Sequence, residues 1–205
     1  MSDLKTTSPS TTAKLSVMMF LQFFIWGAWY TMVGQYLAKV GMADAIGWVY
    51  TEVPIAAIIS PLFLGMIADR FFASERVLAG LMLLGGLAMF LAPGIAESCG
   101  EKWAETVKEL TADGTPAAEA ISAKYGDGYF GIFPPIMPDH LPFIGILLLH
   151  MLCYMPTLAL TNTITFRNIQ NQEKQFPVIR VFGTIGWIVA GAILGYGLKL
   201  DETPW

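Results

Sequence analysis

The chain has 205 residues, 55% hydrophobic and 14% charged, with a mean hydropathy of +0.56 and a formal net charge of −4. A soluble domain carries roughly 25% charged residues, and here the apolar residues gather in long blocks, which excludes an ordinary soluble core. Cys99 and Cys153 sit in different environments and lack metal-ligand spacing, so neither a metal site nor a disulfide is expected.

Residues 1–14 are polar and rich in Ser and Thr, and read as a disordered tail. A bilayer core about 30 Å thick is crossed by roughly 20 apolar residues in a helix. Five blocks meet that length: 15–37, 45–68, 77–96, 141–165 and 178–198. The first exceeds the roughly 7–15 residues of a signal-peptide core, and no small-x-small cleavage site follows it. The fold class is therefore an all-α integral membrane bundle with five transmembrane helices.

Polar side chains in hydrocarbon are costly, so they face a protein interior or a water-filled cavity. In the first block Gln22, Trp26 and Trp29 stand at i, i+4, i+7 and share a helix face. A carboxamide beside two indoles suits a flat, hydrogen-bonding ligand; the same spacing suits helix packing with an interfacial aromatic belt. The second block holds Glu52, followed by Pro54. Hydrocarbon favours the neutral form of a carboxyl, which suits a proton-carrying group; a carboxyl at the mouth of an aqueous cavity is the alternative.

Between the third and fourth blocks lies an insert, 97–140, with eight acids against three lysines. Trp103, Val107 and Leu110 follow a helical period. Thr115-Pro116 reads as an N-cap with Pro at N1, Gly126 as a stop, and the stretch 128–142 as irregular. The fourth block places Tyr154, Thr157, Thr161 and Thr165 on one stripe, with Asn162 beside it and Pro156 within it. Membrane threonines commonly bond their own backbone or a neighbouring helix, so packing is the expected role of these hydroxyls, while Asn162 is open to a ligand. The fifth block sets Arg180, Thr184 and Trp187 at i, i+4, i+7: a permanent cation, a hydroxyl and an aromatic on one face. Arg180 read alone is equally a positive-inside anchor that snorkels to the interface. Gly183, Gly186, Gly191 and Gly195 suggest close approach of a neighbouring helix.

Positive residues collect on the cytoplasmic side of membrane proteins. Lys5 and Lys14, then Arg70 and Arg76, then Arg167, Lys174 and Arg180 alternate onto one face. That face is expected to be cytoplasmic, together with the N-terminus, and the acidic insert extracytoplasmic. Neither H-E-x-x-H nor G-x-S-x-G occurs, and the histidines are His140 and His150. An enzyme is not expected, nor is nucleic-acid binding.

The run Gly65-Met66-Ile67-Ala68-Asp69-Arg70, continuing to Arg76, resembles the signature between the second and third spans of the major facilitator superfamily. In that resemblance Asp69, Arg70 and Arg76 form an inner-face latch. The match is partial, with Phe72 and Ala73-Ser74 replacing the usual glycine and basic pair. Three further runs resemble, in order, the first, fourth and fifth spans of the nucleoside:proton symporter family. They are Phe20-Leu21-Gln22-Phe23 with Trp26-Gly27-Ala28-Trp29, the stretch 154–164, and Phe176-Pro177-Val178-Ile179-Arg180 with Gly183-Thr184-Ile185-Gly186.

The resemblance implies nucleoside uptake by proton symport and alternating access across a bacterial inner membrane, with the proton gradient as energy source and no cofactor. Arg180 and Thr184 carry over as substrate contacts. Trp187 stands where the family usually has Phe, and Gln22, Trp26 and Asn162 are expected to complete the pocket. The role of Glu52 is not inherited, because a small polar residue is expected at that position. A transporter of another polar solute such as a sugar, or a non-transporting receptor or scaffold working through the insert, remain the alternatives. Secondary transporters are commonly built from three-span repeats in six-span halves. The chain is thus expected to be five helices of an N-terminal half: a tail at 1–14, three spans within 15–96, the insert at 97–140 and two spans within 141–205. The sixth helix and the C-terminal half, as its partner, are expected to be missing.

Overall fold

The structure, a computed structural model, describes residues 7–67, 73–128 and 135–197. It contains five helices long and apolar enough to cross a membrane, and no strand among the described residues. Helix α1 (Pro9–Tyr30) and helix α2 (Val33–Lys39) form the first span. Helix α1 begins six residues ahead of the apolar block. Ser8 caps it, accepting the Thr11 N–H on its hydroxyl at 3.2 Å, and Pro9 occupies the first turn, where no N–H is needed. Residues 9–14 are therefore helical rather than tail. The break between α1 and α2 falls at Thr31-Met32, where the Thr31 hydroxyl donates to the Gly27 carbonyl at 2.9 Å, a back-bond that bends helices.

Helix α3 (Ile46–Ile67) is the second span and carries Pro54 and Pro61 in its interior. Helix α4 (Ser74–Leu110) is the third, and it runs on into the insert without interruption for 37 residues. At 1.5 Å per residue that is about 55 Å, against a hydrocarbon core of about 30 Å. Helix α5 (Ala117–Tyr125) follows a turn in which the Asp113 carboxylate accepts the Thr115 N–H at 2.9 Å. That bond holds the Asp113 carboxyl below the ordinary aspartate range. Pro116 itself takes the N-cap position, with no side-chain cap, so Thr115-Pro116 lies one residue further out than expected. Gly126 ends α5 with φ +82°, a conformation that other residues adopt at a cost. Helices α6 (Leu141–Asn168) and α7 (Gln172–Ala192) are the fourth and fifth spans.

The contacts divide the chain into two units. The first comprises α1, residues 73–78, the part of α6 from Thr157 onward, and α7. Its core is Leu15, Met19, Ile164, Ile169 and Ile179, with Phe23 and Phe176 packed against it. Along α7, Ile179, Gly183, Gly186 and Ala190 are buried, whereas Val178, Val181, Ile185 and Ile188 are exposed, so one face of the helix packs on its own unit. Helix α7 packs along α1 across small residues. A Cβ at Gly27 would lie 3.1 Å from the Trp187 carbonyl oxygen, and one at Gly186 would collide with the Phe20 backbone. Gly191 and Gly195, expected to serve the same purpose, have nothing within 4 Å. The α6–α7 turn is tied by Asn171, which accepts the Lys174 N–H, and by Gln175, whose carbonyl accepts from Thr7 and from the Gln170 and Asn171 amides.

The second unit comprises residues 34–72 and 79–156. Within it Trp103, on α4, is 4% exposed. The Tyr125 ring lies 6.2 Å from that of Trp103, and the His140 ring stands edge-on to it at 5.2 Å. Thr106 donates to Asp139 at 2.8 Å. In the same unit His150 Nδ1 lies 2.8 Å from the Gly85 carbonyl. A carbonyl only accepts, so Nδ1 carries the hydrogen and bonds α6 to α4.

Candidate functional site

All six residues expected to bind substrate stand in the first unit: Gln22 and Trp26 on α1, Asn162 on α6, and Arg180, Thr184 and Trp187 on α7. The α1–α7 packing brings two of them, Trp26 and Trp187, into one aromatic cluster. Trp26 and Trp187 meet edge-to-face at 5.1 Å and 89°. Tyr30 lies 5.8 Å from Trp26 and 6.2 Å from Trp187, completing a triangle of rings. Such pairs attract through their quadrupoles and leave faces available for stacking. Two turns back along α7, the Arg180 guanidinium carbon sits 4.0 Å from the centroid of the Phe23 ring. Phe23 in turn lies 6.3 Å from Trp26, so cation and aromatic cluster are linked through α1.

Gln22 faces α6. Its Nε2 donates to the Thr157 hydroxyl at 2.7 Å, and the two residues are 2% and 0% exposed. The carboxamide is thus engaged in a buried bond between the first and fourth spans. Thr161 and Thr165 each donate to a backbone carbonyl of their own helix, at 3.0 and 2.7 Å, in line with the packing role expected of them. Asn162 is half-buried on α6. Thr184 is exposed, and Trp29 pairs edge-on with Tyr30 at 5.6 Å. Glu52 belongs to the second unit; it is 3% exposed, and neither carboxyl oxygen has a hydrogen-bond partner among the described residues. Asp69 and Arg70 lie outside the described residues, while Arg76 is exposed in the first turn of α4.

Sequence reasoning did not single out Phe23, Tyr30 or Thr157 as partners of these residues. Phe20, Phe23, Gly27 and Tyr30 recur at i, i+3, i+7, i+10, the stripe of α1 that meets α7, and that period was the available signal. No group of three or more metal-ligating side chains is assembled among the described residues.

The apolar spans define a polytopic helical membrane protein, in which the Arg180 cation and the ring cluster of Trp26, Tyr30 and Trp187 stand together on α1 and α7. The chain belongs to the nucleoside H+ symporter family, whose pattern it matches over residues 9–102 and 135–199. It is 42% identical over 187 residues to the protein named "Putative nucleoside transporter YegT" of Escherichia coli (strain K12), covering 91% of this chain and 34% of that one. It is 30% identical over 183 residues to nucleoside permease NupG of the same organism, covering 86% of this chain and 34% of that one. The crystal structure of a mutant of nucleoside transporter NupG superposes with a TM-score of 0.66 at 27% identity, over 93% of this chain and 38% of that one. The chain therefore spans about a third of the length of these relatives. The fold expected from the major facilitator resemblance agrees with that structural match.

Proposed function

We propose that this chain supplies the N-terminal substrate-binding face of a proton-coupled nucleoside transporter that works by alternating access. The observation that carries the reading is Arg180, a permanent cation seated on an aromatic ring in the same packed unit as the Trp26–Trp187 pair. A nucleoside offers what these groups recognise. Its hydroxyl and carbonyl oxygens accept from a guanidinium fork, and its base stacks on an indole. Arg180 and Thr184 hold the substrate, Trp187 and Trp26 receive the base, and Gln22 and Asn162 shape the pocket from α1 and α6. Glu52 carries the proton, since the neutral acid is the form an unpartnered carboxyl takes in hydrocarbon. Asp69, Arg70 and Arg76 latch the inner face. The proton gradient is the energy source, no cofactor takes part, and the remaining two thirds of the length seen in the relatives completes the pathway. The setting is a bacterial inner membrane with the N-terminus in the cytoplasm.

Labelled-uridine uptake by the full-length polypeptide, in cells lacking their own nucleoside transporters, tests this reading. Uptake is expected to collapse on addition of a protonophore. Arg180→Ala is expected to abolish uptake while membrane insertion stays normal. Loss of one charge-assisted hydrogen bond removes about 1.5–3 kcal/mol, roughly 10- to 150-fold in affinity. Wild-type uptake by Arg180→Ala would sink the assignment.

A further inference from the structure

We infer that Phe23 and Gly183 are positioning residues that together hold the Arg180 guanidinium in place for the substrate; this rests on the reading of Arg180 as a substrate contact. The default behaviour of an arginine near the end of a membrane helix is to snorkel, its flexible stem leading the charge to the interface. Arg180 is in the third turn of α7, close enough to that end for snorkelling to compete. Instead its guanidinium lies over the face of Phe23, 4.0 Å from the ring centroid, well inside the roughly 6 Å range of a cation–π contact.

That seat exists because residue 183 has no side chain. A Cβ there would stand 2.6 Å from Phe23 Cδ2 and 2.8 Å from Arg180 Nη1, touching both partners at once. Gly183 and Gly186 differ in this respect. The atoms nearest a Cβ at Gly186 are the Phe20 backbone, so that glycine serves helix approach. The nearest atoms at Gly183 are the two side chains that make the seat. The guanidinium is thereby kept half-buried and oriented before any substrate arrives, and fewer side-chain rotamers are lost when it binds.

Phe23 also packs against the core of its unit, so a purely structural role must be separated from a positioning one. In the full-length polypeptide, Phe23→Leu keeps apolar volume and removes the ring face, whereas Phe23→Tyr keeps the ring. Phe23→Leu is expected to raise the KM for labelled uridine about 3- to 30-fold, with the maximal rate per inserted carrier unchanged. Phe23→Tyr should return KM to within about twofold of wild type, and Gly183→Ala should raise KM as Phe23→Leu does. If Gly183→Ala fails to insert, the Leu and Tyr pair at 23 decides the matter. Unchanged KM in Phe23→Leu, or a loss of inserted protein and maximal rate alone, overturns the positioning role. If that result accompanies an inactive Arg180→Ala, the substrate role of Arg180 survives. A fully active Arg180→Ala removes the underlying reading instead.

Discussion

Glu52 and His150 are both buried ionisable side chains of the second unit, and their surroundings separate their roles. The His150 ring donates to the Gly85 carbonyl and stacks on Tyr154 with ring centroids 5.9 Å apart. A Cβ at Gly85 would lie 3.2 Å from that of Cys153, so the histidine bond accompanies a close helix crossing and reads as structural glue. Glu52 has no such engagement among the described residues, and that distinguishes it as the proton carrier proposed above. Replacing it by glutamine keeps the shape and the neutral character and removes the exchangeable proton. Glu52→Gln is therefore expected to insert normally and to exchange labelled for unlabelled nucleoside across the membrane. Its concentrative, protonophore-sensitive accumulation is expected to fall to the equilibrium level. Full accumulation by this variant would assign the coupling proton elsewhere. At this scale the sequence was informative about which residue types were out of place in hydrocarbon, because each costs free energy there whatever its neighbours. It named Thr157 in a polar stripe and Phe23 in a motif but did not pair them with Gln22 and Arg180, because a helical period identifies a face and not the side chains that a second helix brings to it.

Among the elements, α1 and α7 depend on each other most directly, through Gly27, Gly183 and Gly186. The glycines of α7 make a controlled comparison within one helix. At Gly186 a methyl group meets backbone, which cannot move aside without parting the helices; at Gly191 it meets open space. Gly186→Ala is expected to cost about 1–3 kcal/mol of stability, as overpacking does, and to lower the yield of inserted protein. Gly191→Ala is expected to be neutral or to stabilise by up to about 1 kcal/mol through helix propensity. Thermal denaturation in detergent measures both, and equal effects would contradict the packing described here. The spans themselves were legible from the length of their apolar blocks, since a bilayer imposes that length on any sequence. Their ends were less so. Helix α1 starts at Pro9 on the strength of a serine cap, and α4 runs through Glu97 and Glu101, because helix continuation is set by local bonding and not by where hydrocarbon stops.

Over the whole molecule, the family match leaves out residues 103–134, which hold the last turns of α4 and all of α5. The alternating-access reading makes no use of them. Replacing 103–134 by a short glycine-serine linker in the full-length polypeptide is expected to leave uridine uptake within about twofold of wild type once normalised to inserted protein, allowing up to about 1 kcal/mol for loop closure. Loss of uptake by an inserted variant would make the insert part of the transport machinery and revive a receptor-like role for it. The same segment has a practical corollary. Polytopic helical proteins offer antibodies and electron microscopists little to hold, because most of their surface is wrapped in lipid or detergent. Here one helix is about 25 Å longer than the hydrocarbon is thick, and toward its C-terminal end the rings of Trp103, Tyr125 and His140 gather into a small knob. A binder raised against that knob would grip a water-facing epitope joined to the third span by unbroken helix, and would serve as a fiducial for particle alignment and a label for membrane sidedness.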